Sequence, residues 1–165
     1  MRKGEKFMTR AERAKQNFMR GLNCAQAVFL AFSDLYGELD EKTALKLAAP
    51  FGGGVGRLRE LCGALSGCLM AAGMIFYDAG NITVAEKSAL YAREQEIAAR
   101  FRADNGSIVC RELLSGVAHD DAPQAEERTA EYYRKRPCPE ICARAAAAFE
   151  QYLKEQGVLP AEEKQ

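Results

Sequence analysis

The sequence predicts an all-α protein, a compact bundle of six or seven helices, on three observations. Apolar residues recur at helical spacing along nearly the whole chain, and no stretch alternates as a half-buried strand does. Gly, Asn, Asp and Pro fall between the periodic stretches, where helices start and stop. One stretch, Glu60 to Tyr77, is nearly free of charge and mixes Gly63, Ala64, Ser66, Gly67, Ala71, Ala72 and Gly73 with large apolar residues. That is the pattern of a central helix that other helices approach closely.

The elements follow in order. A first helix, Thr9 to Arg20, stops at Gly21, which suits a left-handed helix end. Asn23 caps a second, Cys24 to Tyr36, whose Val28, Phe29, Leu30 and Phe32 suit a buried position, and Gly37 closes it. Asp40 caps a third through Ala49, ended by Pro50, which disfavours helical geometry just before it. After the central helix, Thr83 to Ala103 reads as a long amphipathic helix with Leu90, Ile97 and Phe101 inward, stopped by Asn105-Gly106. A short helix near Ile108 to Cys110 carries Arg111 to Leu114, followed by a polar loop from Ser115 to Pro123. A charged helix spans Gln124 to Arg134, and Pro139 opens the last helix, through Gln156, with Ile141, Ala145, Phe149 and Leu153 inward.

A chain of 165 residues with 48% hydrophobic residues suits one domain, 1–165, with its core over 14–149 and a frayed tail at 160–165. Lys+Arg and Asp+Glu balance at 23 each, so no overall field draws in nucleic acid or an anionic membrane. The charged start, MRKGEKFMTRAERAK, lacks the apolar core of a signal peptide, and no later run is long enough to cross a bilayer. A cytoplasmic protein is expected. The sequence leaves homo-oligomerisation open.

In a reducing compartment the six cysteines, Cys24, Cys62, Cys68, Cys110, Cys138 and Cys142, do not read as a disulfide framework. Clustered thiols there mean metal or redox chemistry, against the plainer role of free cysteine as a small buried apolar group. Cys24, Cys62, Cys110 and Cys138 each fall at or near an expected helix start, where unpaired amides and the helix dipole favour a thiolate, the form that binds metals and attacks disulfides. Cys68, six residues after Cys62 and flanked by Leu65, Leu69 and Met70, reads as packing. Cys142 shares a helix face with Cys138, as a spare ligand, a resolving thiol or packing.

The glycine run FGGGVGR lacks the Lys-Ser/Thr ending of a phosphate-binding loop and follows a helix rather than a strand, so a nucleotide site is not supported. Gly52, Gly53, Gly54 and Gly56 instead allow positive φ and a close approach to a bound group, with amides available to anionic sulfur. Arg57 and Arg59 either add positive charge there or belong to the solvated surface. The single histidine, His119, sits in a polar loop with no partner pattern, and Ser66 is not in a nucleophile elbow.

The stretches GLNCAQAV, FGGGVGRLRELCGALSG and NGSIVCRELL, with the late Cys138-Pro139, closely resemble the C-GCAxxG-C-C family of redox-active proteins, over about Ala14 to Phe149. The family's hallmark maps onto Cys24, Cys62-Gly63-Ala64-Leu65-Ser66-Gly67, Cys110 and Cys138. Members are similar to the non-haem part of split-Soret cytochromes, which implies an iron–sulfur cluster held by Cys24, Cys62, Cys110 and Cys138, and an unidentified electron donor or acceptor. Without a Cys-x-x-Cys-His, covalent haem is not expected. Zinc would use the same donor type but commonly gathers cysteines in close pairs, absent here. Two other readings stay open: a metal-free thiol–disulfide oxidoreductase with Cys24 and Cys62 as its catalytic pair, and a helical interaction module with inert buried thiols.

Overall fold

A computed structural model describes residues 7–161, and over them the chain is all-α. Helix α1 (Arg10–Met19) starts on a reciprocal cap, in which Thr9 accepts from the Glu12 amide while the Glu12 carboxylate accepts from Thr9. Helix α2 (Cys24–Leu30) repeats the device with Asn23 and Gln26. Asp40, Thr83 and Thr129 cap α3 (Glu41–Ala48), α6 (Val84–Asn105) and α8 (Ala130–Lys135). Between them lie a glycine turn, α4 (Gly52–Val55), the central α5 (Gly63–Phe76) and the single turn α7 (Cys110–Leu113). Helix α9 (Cys138–Glu155) closes the chain, with Pro139 at its second position rather than its first.

Two expected helices are shorter than the sequence suggests. Helix α2 stops at Leu30, and residues 33–35 form only a 3-10 turn. Arg10 and Arg13 of α1 both pair with Asp34 and donate to the Ala31 carbonyl, so α1 takes the carbonyl and the side chain that a longer α2 would have presented elsewhere. The charged helix expected over Gln124 to Arg134 begins only at Ala130. Residues 124–129 run as an irregular strap because Glu126 and Arg128 are drawn inward by partners described below. The expected tail at 160–165 lies outside the described residues from position 162 onward.

The core is built on α9 and α2. Helix α9 packs on α1, α2, α5 and α6, and α2 on α1, α3 and α5. Phe18, Phe29, Phe32, Phe101, Phe149 and Tyr152 are its largest fully buried side chains, with Phe32 meeting Phe149 edge-on at 4.9 Å between centroids. Ile97 and Phe101 of α6 are buried, whereas Leu90 is only half-buried. Polar side chains tie the elements where α2 begins: Asn17 donates to the Ala27 carbonyl, Gln26 to that of Leu45 and Asn23 to that of Ala49, each at 3.0 Å. No helix of the described residues is long and apolar enough to cross a membrane.

The central helix is small-residue-rich because α2 lies almost against its backbone. A Cβ on Gly67 would stand 2.8 Å from the Ala25 carbonyl, 2.9 Å from the Val28 Cβ and 3.0 Å from the Phe29 amide nitrogen. Those neighbours are backbone and a branched carbon, which cannot swing away. Gly67→Ala is therefore expected to destabilise by about 1–3 kcal/mol, the usual cost of overpacking, despite alanine's better helix propensity. Urea unfolding checks this; a variant as stable as the parent would mean that α2 and α5 can separate freely.

Candidate functional site

Cys24, Cys110 and Cys138 are the first residues of α2, α7 and α9, and Cys62 is the residue that caps α5. All four line one cavity of about 300 Å³. The structure thus brings together the four thiols that the sequence placed at separate helix starts. Three local arrangements do it.

The first is a two-strand contact too short to be a sheet. Leu61 and Val109 form an isolated antiparallel bridge, the Cys62 amide donates to the Ile108 carbonyl at 2.8 Å, and the Cys110 amide donates to the Glu60 carbonyl at 2.6 Å. Side chains alternate along extended backbone, so Cys62 and Cys110, each next to a bridging residue, face the same side.

The second is the glycine turn. Residues 53–57 all have positive φ, at 64°, 68°, 66°, 56° and 69°. A left-handed turn costs about 1–2 kcal/mol for each residue with a Cβ. Glycine at 53, 54 and 56 removes most of that penalty and leaves it on Val55 and Arg57. The turn passes so close to α7 that a Cβ on Gly54 would lie 2.6 Å from the Cys110 Cβ. One on Gly63 would lie 3.0 Å from the Cys24 Cβ, and one on Gly52 would strike the Asn23 side chain that caps α2. The contribution of these glycines is close approach. The Gly56 amide, expected among those facing sulfur, donates to the Pro50 carbonyl at 2.9 Å; the amides that bear on a thiol belong to Ala64 and Leu65 at the start of α5, and they act on Cys62.

The third is a strap of charged residues across the cavity. Arg57, Arg59 and Arg136 share the Glu126 carboxylate. Arg57 also donates to the Ala122 carbonyl at 2.7 Å and Arg59 to that of Asp120 at 2.8 Å. Arg128 lies over the Phe18 and Tyr132 rings and donates to the Phe18 and Leu22 carbonyls, tying the strap to the α1–α2 corner. Arg59 and Arg136 expose only 8% and 4% of their side chains, so Arg59 is a wall of the cavity and not solvated surface; the Arg57 side chain, at 14%, is largely covered too. Arg59 Nη1 lies 3.9 Å from Cys110 Sγ. Arg128, Arg136 and Glu126 were not singled out from the sequence, where they fall in a stretch that reads as a solvated charged helix. The one available signal was Arg136 standing two residues before Cys138.

The two remaining cysteines differ. Cys68 is buried in the core, with its thiol donating to the Ala145 carbonyl at 3.6 Å. Cys142, fully buried one turn after Cys138, interacts with Cys24. His119 is exposed, its Nδ1 2.8 Å from the Val117 carbonyl. Among the described residues, no group of three or more His, Cys, Asp or Glu side chains is placed to hold a metal ion. The thiols stand on the walls of the cavity and are not drawn onto one point.

The model of a family described as "Putative redox-active protein (C_GCAxxG_C_C)" matches residues 22–152. The chain belongs to the C_GCAxxG_C_C family. No curated protein matches it, and no solved structure does. The family's central motif has a steric reading in this fold. Gly63 lets Cys24 and Cys62 approach, Ala64 fits a fully buried position, and Gly67, one turn on, seats α5 on α2.

Burial governs the chemistry of the thiols. It pushes Cys62 up to about 12, against the opposing amides of Ala64 and Leu65. Burial also raises Cys110, against the Arg59 guanidinium. Cys138 is raised by its contact with Cys24 and then by burial. For Cys24, contact with Cys138 favours the thiolate, but contact with Cys142 and burial outweigh it and raise the group. These thiols are neutral in the metal-free protein at pH 7, and the helix starts alone do not make them thiolates.

A thiol raised above its unfolded value of about 8.5 contributes stability that is present below that pH and is lost as pH rises toward the folded value. The reduced, metal-free protein is expected to lose stability from about pH 8.5 upward. Over the same range, iodoacetamide labelling of Cys62 should keep rising roughly tenfold per pH unit instead of levelling off near pH 9. Urea unfolding and peptide-resolved labelling from pH 7 to 11 check both; a labelling plateau by pH 9 would show that burial does not hold the Cys62 proton.

Proposed function

We propose that this protein is a redox protein whose cavity holds an iron–sulfur cluster through Cys24, Cys62, Cys110 and Cys138, and that it passes electrons to or from a partner. One observation carries the reading: four cysteines from four separate helix starts line a single cavity walled by arginines. The donor set fits the group, since four thiolates serve both common cluster types. The room fits as well. A lone zinc needs all four sulfurs about 2.3 Å from one point, whereas a cluster spreads its irons over a volume and suits thiols set on the walls of about 300 Å³.

The electrostatics support the same reading. Four thiolates crowded in a buried space repel one another, and each is costly to desolvate. Against them the cavity sets Arg57, Arg59, Arg128 and Arg136, with Glu126 as its one lining carboxylate. Arg59 beside Cys110, and the Ala64 and Leu65 amides on Cys62, would stabilise negative charge on those sulfurs and raise the potential of a bound centre. When bound, the cluster supplies one-electron chemistry; the chain supplies the ligands, the cavity walls and the compensating charge. A zinc site with the same ligands is the lesser reading. A metal-free oxidoreductase is less well supported because a working nucleophile needs a depressed thiol pKa, and burial does the opposite here.

Anaerobic reconstitution with iron and sulfide tests the proposal. The parent is expected to take up both and to show cluster absorbance and, on reduction, an electron paramagnetic resonance signal. Cys62→Ala should lose the centre while keeping its helical spectrum. Cys68→Ala should keep the centre at a cost of about 1–2 kcal/mol in stability, as for a small core truncation. A parent that binds no iron, or a centre that survives in Cys62→Ala and vanishes in Cys68→Ala, would overturn the assignment.

A further inference from the structure

Glu126 faces more positive charge than one carboxylate can balance. Its Oε1 lies 3.3 Å from Arg57 Nη2 and 4.0 Å from Arg59 Nη2, and Arg136 Nη2 donates to the same oxygen. Arg128 lines the same cavity. The other carboxylate in reach, Asp120, meets Arg57 at 3.3 Å and is itself exposed. Four guanidinium groups against two carboxylates leave two positive charges over, at a place where the side chains of Arg59 and Arg136 are more than nine-tenths buried. Like charges gathered out of water repel one another, and each is costly to desolvate without a partner. Donors are left over as well, since a guanidinium presents a whole fork of N–H groups. Among the described residues, Arg136 makes one hydrogen bond, to Glu126. Arg59 donates through Nε to the Asp120 carbonyl, while its Nη1 meets only the Cys110 sulfur, at 3.9 Å.

We propose that Arg57, Arg59 and Arg136 form a binding site for a small tetrahedral oxyanion of the phosphate or sulfate kind, and that the Glu126 carboxylate is its built-in occupant, displaced outward when the anion enters. The shape of the cluster sets the class of ligand. Three guanidinium groups, from the glycine turn and from the residue before Pro137, converge on a single oxygen. A carboxylate offers them two oxygens, whereas a tetrahedral anion offers three and carries the second negative charge that the cluster lacks. The strap allows the exchange. Glu126 stands in irregular, exposed chain, and the strap is anchored on either side of it, by Arg57 and Arg59 at the Ala122 and Asp120 carbonyls and by Arg128 at the Phe18 and Leu22 carbonyls. The carboxylate can therefore swing out without releasing the chain that carries it. On the cluster reading, an anion held there stands one arginine away from the ligand Cys110, where a substrate would meet the centre; the anion binding itself does not rest on that reading.

The test uses the full-length chain, reduced and freed of metal with a chelator, titrated in a calorimeter with sulfate and with inorganic phosphate at constant ionic strength, and with acetate and chloride as comparison anions. The parent should bind sulfate and phosphate more tightly than acetate or chloride. Glu126→Gln removes the competing charge and should bind sulfate about tenfold more tightly than the parent, and Arg136→Gln about tenfold more weakly, the usual scale for one charged hydrogen-bonding partner. In the parent, peptide-resolved hydrogen exchange over residues 123–127 should speed up when sulfate is added, because Glu126 has let go. That measurement decides the question even if a variant does not fold. No sulfate or phosphate binding by the parent and by Glu126→Gln, equal affinities in the two, acetate or chloride bound as tightly as sulfate, or exchange over 123–127 that sulfate leaves unchanged would overturn the proposal. Because no iron is present at any stage, failure here leaves the cluster reading standing, and failure of reconstitution leaves this one standing.

Discussion

The seating of α5 on α2 is the contact on which the rest of the site depends. Two glycines one turn apart, Gly63 and Gly67, let the helices meet without intervening side chains, the first beside Cys24 and the second against the α2 backbone from Ala25 to Phe29. That approach aligns the start of α2 with the start of α5, and so Cys24 with Cys62. It also explains why the central helix tolerates residues that weaken a helix in isolation. Burial of Ala64, Leu65, Cys68, Ala71 and Ala72 returns the stability that the intrinsic propensity gives up.

Around that contact the protein solves a charge problem. Thiols at helix starts are offered positive potential, yet burial penalises a thiolate by more than one helix end compensates. Arginines supply the balance. They are held from the outside by the strap, where Glu126 alone meets three guanidinium groups and backbone carbonyls occupy further donors. Positive φ at Val55, Arg57 and Arg59 is strain of the kind that persists where surrounding bonds over-determine the backbone, and here those bonds aim two arginines inward.

Much of this architecture was readable in the order of residues. Capping residues Asn23 and Asp40, the stop at Asn105-Gly106 and the small-residue run in α5 are local signals, because a cap or a helix end is decided by neighbours within four positions. The same locality placed the four cysteines at helix starts. Where the reading went astray, a distant partner had intervened. Helix α2 ended early because Arg10 and Arg13 of α1 claim Ala31 and Asp34, and residues 124–129 are not helical because Glu126 and Arg128 answer to arginines and aromatic rings far away in sequence.

What the sequence by itself determined is therefore the all-α class, the family, and the identity of four thiols standing at helix starts, because each is written in a local pattern or a motif. Tertiary structure alone decided that those thiols share one cavity, since the bridge between Leu61 and Val109 and the packing of α9 on α2 join positions many tens of residues apart. It decided that the glycine run is a left-handed turn acting through close approach, because only the neighbouring Cys110 shows what a side chain at Gly54 would strike. And it decided that the thiols are neutral without metal, because burial is a property of the assembled core that no spacing of cysteines encodes.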